Sequence, residues 1–141
     1  MSNLGERLNE LMLDKNVDSK KLASDLSVAP QSVNNWKANR TDLGLSYLIR
    51  LCRYFQCSLD YLVGRSEHDT KPNKYEIGNF GEQVRKVMNA KGITSYQLRK
   101  DTRYDGGYFY VWDKGSDPKL STLIELANYF KCSPDELVGM E

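Results

Sequence analysis

Leu22-Ala23-Ser24-Asp25-Leu26-Ser27-Val28-Ala29-Pro30-Gln31-Ser32-Val33-Asn34-Asn35-Trp36 is the stretch that decides the fold. Leu22 and Leu26 lie one helical turn apart and form the inner face of a short helix, which Asp18 or Ser19 can cap. Ser27-Val28-Ala29 leaves room only for a tight turn. Pro30 suits the first position of the next helix, where its missing N–H costs nothing. That helix buries Val33 and Trp36 and is expected to run to about Ala38.

Outward from this pair, the same reading fills the rest of the first 66 residues. Leu4, Leu8, Leu11 and Met12 recur at helical spacing and predict a helix from about residue 3 to 15, ended at Asn16. A loop of Asn39-Arg40-Thr41-Asp42 leads to a fourth helix with Leu45, Leu48, Leu51, Cys52 and Phe55 inward. Ser58 caps a short fifth helix carrying Leu59, Leu62 and Val63, and Gly64 can supply its left-handed stop. No segment alternates with period two, so the chain reads as all-α.

The unit is then repeated. Leu4-Gly5-Glu6 returns as Phe80-Gly81-Glu82, Leu22 as Leu98 and Trp36 as Trp112. Tyr54-Phe55-Gln56-Cys57-Ser58 returns as Tyr129-Phe130-Lys131-Cys132-Ser133, and Leu62-Val63-Gly64 as Leu137-Val138-Gly139. Two copies are too few for a solenoid and make a duplicated domain. The expected organisation is a first domain over residues 1–66, a polar linker over 67–78 and a second, degenerate domain over 79–141.

Composition excludes several classes. Three scattered cysteines form neither a disulfide framework nor a zinc spacing; Cys57 and Cys132 match in the repeat and read as core thiols. His68 falls in the linker, where solvation explains it. No metal or cofactor is implied, and no nucleophile elbow or phosphate-cradling loop points to an enzyme. No apolar run is long enough to span a bilayer, and the first residues lack a secretory layout, so a cytoplasmic protein without membrane contact is expected. The net charge of +1 is nearly neutral, with 9 Lys+Arg against 7 Asp+Glu in residues 1–66 and 9 against 9 in 80–141. Any basic surface must therefore be local, and the first domain is the better candidate.

Leu22-Ala23, Val28 through Trp36, and the ending Ser58-Leu59-Asp60-Tyr61-Leu62-Val63-Gly64 together resemble the Cro/CI-type (XRE) helix-turn-helix family with the lambda-repressor-like fold. The resemblance covers almost all of residues 4–64 and, more loosely, 80–139. It implies two tandem five-helix domains joined by a short linker, and a sequence-specific regulator of transcription bound to double-stranded DNA, usually a repressor and often a homodimer. A third helix that stands proud of its domain fits the major groove, and its first residues meet base edges. Those are Pro30, Gln31, Ser32, Asn34 and Asn35, with Gln and Asn able to pair bidentately with adenine. Ser19, Lys20, Lys37, Asn39 and Arg40 are expected at phosphates, which position the protein and supply salt-sensitive affinity.

The second domain departs from this pattern. Gly106 and Gly107 stand where its reading helix should begin, each costing roughly 1 kcal/mol of helix stability relative to Ala. Tyr108 and Tyr110 replace Ser32 and Asn34, and Thr102 replaces Leu26. Three readings stay open: close backbone approach to DNA with tyrosine contacts, a protein–protein surface, or packing alone. The rival to DNA binding for the whole chain is a protein-binding module on the same fold, such as an antitoxin or a dimerisation partner. A small-molecule effector is left open by the sequence.

Overall fold

The protein is described here from a computed structural model, over residues 3–140. Ten helices and no strand occur among these residues. They divide into two compact units, residues 1–72 and 73–141. The first holds α1 (Leu4–Lys15), α2 (Ser19–Leu26), α3 (Pro30–Lys37), α4 (Leu45–Phe55) and α5 (Leu59–Leu62). The second holds α6 (Phe80–Lys91), α7 (Ser95–Asp101), α8 (Gly106–Asp113), α9 (Leu120–Phe130) and α10 (Pro134–Val138). The all-α expectation of five helices per unit is thereby met.

The helix boundaries have local causes. Asn3, Asp18 and Ser58 each accept a backbone N–H of the first turn of α1, α2 and α5. Asn79, Thr94 and Ser133 do the same at the matching places in unit 2, where Thr94 and Gln97 close a reciprocal capping box. Pro30 opens α3 without a side-chain cap, its fixed φ supplying the turn. Gly64 takes φ 81°, the left-handed stop expected of it.

Leu8, Leu22, Val33, Leu48, Leu51, Leu59 and Leu62 are fully buried and form the core of unit 1. Val84, Leu98, Leu123, Leu126 and Leu137 take their places in unit 2. Each such side chain contributes about 1.5–3 kcal/mol of burial free energy. Cys52 and Cys57 are buried, Cys132 is half-buried, and all three are unbridged.

One buried charged group breaks the apolar pattern. Arg7 is only 1% exposed. Its Nη1 donates to the carbonyls of Tyr61 (2.9 Å) and Ser66 (3.3 Å), Nη2 lies 3.3 Å from Glu67, and the guanidinium stacks 3.8 Å over the Tyr61 ring. α1 is thus fastened to α5 and to the segment leaving it. Asp69 adds a second tie by accepting the N–H of Ser58 at 2.9 Å, so the compact unit continues past Ser66. Gln83 occupies the place of Arg7 in unit 2 and makes one equivalent bond, Nε2 to the Glu136 carbonyl at 3.4 Å.

Candidate nucleic-acid interface

In unit 1, α2 and α3 pack directly on each other. The turn between them is built by Ser27, which takes φ 57°, ψ 45° and ends α2. Val28 N–H then returns to the Ala23 carbonyl at 2.9 Å, the bond that turns the chain sharply out of the helix. Arg50, from α4, donates to the Leu26 carbonyl and so satisfies another free end of α2. Val33 and Trp36 anchor α3 inward, with Trp36 against Tyr47 at 5.6 Å between ring centroids.

This leaves a polar face outward. Pro30, Gln31 and Asn34 are exposed and Ser32 and Asn35 half-buried on the same helix. Gln31 Nε2 donates to Asn35 Oδ1 at 3.0 Å, which holds the two amides side by side one turn apart. Lys37 Nζ donates to Ser19 Oγ at 3.3 Å and brings the end of α3 to the start of α2. Ser19, Lys20 and Lys37, with Asp18 and part of α1, line a shallow hollow of about 470 Å³. Arg40 is exposed beyond α3.

Asn39 is held differently. Its Oδ1 accepts Gly5 N–H at 2.9 Å and its Nδ2 donates to Asn3 Oδ1 at 3.1 Å, so the side chain is committed to the start of α1. This junction is tight: a Cβ on Gly5 would fall against the Lys37 carbonyl and lie 2.6 Å from Asn39 Nδ2.

Behind the interface, Tyr54 donates to Asp25 Oδ2 at 2.6 Å. The phenol and the Lys21 ammonium hold the Asp25 carboxyl below its ordinary value. Burial, then the Asp25 hydrogen bond, push the Tyr54 hydroxyl up to about 12. Tyr129 and Asp101 repeat the bond in unit 2 at 2.7 Å, and the Asp101 hydrogen bond, followed by burial, raises the Tyr129 hydroxyl as well.

The corresponding face of unit 2 is built otherwise. α7 ends at Asp101 and four residues, not three, lead to α8. Thr102 is extended, donates to the Leu98 carbonyl at 2.6 Å and accepts Tyr104 N–H. Tyr104 is fully buried, and its hydroxyl donates to Glu125 at 3.1 Å beside Arg103. Asp105 caps α8 through Gly107 N–H, which starts the helix despite its two glycines. α8 packs on α6, while the space between α7 and α8 opens into a groove of about 420 Å³.

Gly106 and Gly107 leave the start of α8 bare, and a Cβ on Gly106 would meet nothing. Tyr108 leans inward, with its ring 4.8 Å from Tyr104 and 5.8 Å from Trp112. Tyr110 stands 64% exposed, and Val111, which the sequence reading did not single out, is exposed beside it. Lys37 is replaced by Asp113, which Arg85 grips through two bonds of 3.0 and 2.8 Å and thereby holds well ionised, below the usual carboxylate range. Lys20 is replaced by Tyr96 and Arg40 by Ser116. The sequence signal for Val111 was helical spacing from Gly107, legible only once the helix start is known. For Arg7 there was none beyond its type, which ordinarily marks a solvated position.

Among the described residues no group of three His, Cys, Asp or Glu side chains gathers where a metal could sit, and no helix is long and apolar enough to cross a membrane. No curated protein and no solved structure matches the chain. The family description of the Cro/C1-type HTH DNA-binding domain does, over residues 7–66 and again over 83–141. With two matches spanning most of its length, the chain belongs to the Cro/C1-type helix-turn-helix family and is a DNA-binding regulator.

Proposed function

We propose that unit 1 recognises a specific duplex DNA sequence by laying α3 in the major groove, and that the protein acts as a transcriptional repressor. The observation that carries this is the outward face of α3. It presents Gln31, Ser32, Asn34 and Asn35 on a helix whose other side is locked by Val33 and Trp36. Amides arranged this way supply paired donors and acceptors to base edges, adenine above all. The Gln31–Asn35 bond reduces the side-chain freedom lost on binding.

Lys20, Lys37 and Arg40 serve the phosphates, with Ser19 as a neutral donor at the start of α2. Asn39 acts there through the backbone it positions, since its side chain holds α1. Three cations predict a modest salt slope, near −2.7 per bound unit at about 0.9 per phosphate neutralised. Repression is the regulatory outcome that needs nothing beyond occupancy of the bound sequence.

Selection from a random duplex library, followed by a salt titration on the winner, tests this. Enrichment of one motif with affinity falling as salt rises is the expected result. Binding without any enriched motif would leave the family's general DNA affinity in place and remove sequence reading by α3.

A further inference from the structure

The outward residues of α8 are not a random set. Gly107, Tyr110, Val111 and Lys114 stand at spacings of three, four and seven, so they share one stripe opposite the buried Phe109 and Trp112. The same stripe on α3 carries Gln31, Asn34, Asn35 and Ala38. Base-reading amides are thus replaced, position for position, by a glycine, an aromatic and a β-branched residue. Lys114 Nζ lies 5.5 Å from the Tyr110 ring, which joins the end of the stripe to its middle. The flanking cations Lys20, Lys37 and Arg40 give way to Tyr96, Asp113 and Ser116, while Ser95 keeps the place of Ser19. Asp105 adds negative charge at the start of α8, and Asp113 near its end is spent on Arg85.

We infer that this stripe is a docking surface for a second copy of the same chain, with the two α8 helices packed antiparallel about a two-fold axis. Self-complementary charge identifies the occupant. Asp105 is exposed at the start of α8 and Lys114 at its end, and among the described residues neither is in an ion pair. Antiparallel pairing sets the start of each helix against the end of the other. With the axis between residues 110 and 111, Tyr110 of one copy packs on Val111 of the other. Gly107 then faces Lys114. The absence of a Cβ at Gly107 lets the lysine stem lie flat across the backbone, and its ammonium reaches the Asp105 carboxylate of the other copy. A parallel pairing would instead bring like charges together. A two-fold contact needs this property, a patch that complements itself.

An eight-residue helix is about 12 Å long, and its stripe covers less than the roughly 800 Å² per partner of a standard interface. The association is therefore weak, with a Kd on the order of micromolar or above. It does not rest on the DNA reading of unit 1, because it is measured without nucleic acid.

Sedimentation velocity of the full chain over a wide concentration range is the test, with circular dichroism melts to show that each variant folds. Gly107→Gln, and separately Tyr110→Asn with Val111→Asn, install the residues of unit 1 and should each raise the Kd by about tenfold or more, as interface-centre changes do. Lys114→Glu should do likewise. Val111→Cys should form an intermolecular disulfide on oxidation, and Asn35→Cys at the matching place in unit 1 should not. A chain that stays monomeric at every concentration overturns the inference. So does a dimer indifferent to all four α8 changes. If Tyr110→Asn with Val111→Asn alters base preference and leaves association untouched, α8 reads DNA and the self-docking assignment is wrong.

Discussion

Units 1 and 2 share a scaffold and differ on one helix face. The buried leucines, the caps and the tyrosine–aspartate bond recur at matching positions, while the stripe Gln31, Asn34, Asn35 becomes Gly107, Tyr110, Val111. The turn changes with it, from a packed three-residue link to a four-residue one that leaves α7 and α8 apart. Duplication has therefore kept what folds the domain and released what faces outward. Membership in a DNA-binding family speaks for the fold of both units, but only unit 1 carries side-chain amides on that outward stripe.

The largest effects should fall on the shared part and be alike in both units. Leu48→Ala and Leu123→Ala each remove a fully buried side chain from the fourth helix of their unit and should cost about 2–5 kcal/mol in denaturant unfolding. A clear inequality between them would mean that the two cores are not equivalent.

Smaller effects should separate the faces. Gln31→Ala or Asn34→Ala is expected to cost about 1–3 kcal/mol of discrimination between the preferred base and its competitors, read by competition binding. Tyr110→Ala should leave that discrimination unchanged. If it does not, the contrast between the faces fails. Lys37→Ala should weaken binding to every sequence and lower the salt slope by about 1, whereas Asp113→Ala should not weaken it at all.

The smallest expected effect concerns ionisation. Tyr54 should ionise near 12, seen as a late phase in an ultraviolet pH titration that Tyr54→Phe removes. Because the folded value lies above the ordinary 10.0, its stabilisation is complete below pH 10 and is lost as pH rises towards 12. Asp25 has the opposite sign: its depressed carboxyl stabilises the fold above the ordinary 3.8, and that share disappears in stronger acid.

Much of this architecture was legible in the residues. Leucine spacing, the caps at Asp18 and Ser58 and the repeat of Trp36 at Trp112 carried the helices, because periodicity and capping are local properties; the Asn3 and Asn79 caps were not read. The placement of Lys37 at Ser19 and the burial of Tyr104 depend on which helices meet in space, and no local signal encodes that. Arg7 was missed for a related reason. A charged residue reads as exposed until backbone carbonyls from Tyr61 and Ser66 are seen around it. The outward stripe of α8 was obscured by its two glycines, which argue against a helix until Asp105 is seen to cap it.

The bare Cα of Gly5 has a consequence for how binding can change over evolutionary time. It abuts the carbonyl of Lys37, so α1 acts as a shoulder behind the reading helix, fixing how far that helix can retreat. A larger residue there would shift every base contact proposed for α3 together while touching none of them, much as filing a key's shoulder misaligns all its teeth. In unit 2 the matching Gly81 faces the Asp113 carboxylate instead, a side chain held in place by Arg85 rather than a stretch of main chain. One helix is seated against main chain, which no substitution removes, and the other against a side chain, which a single substitution can take away.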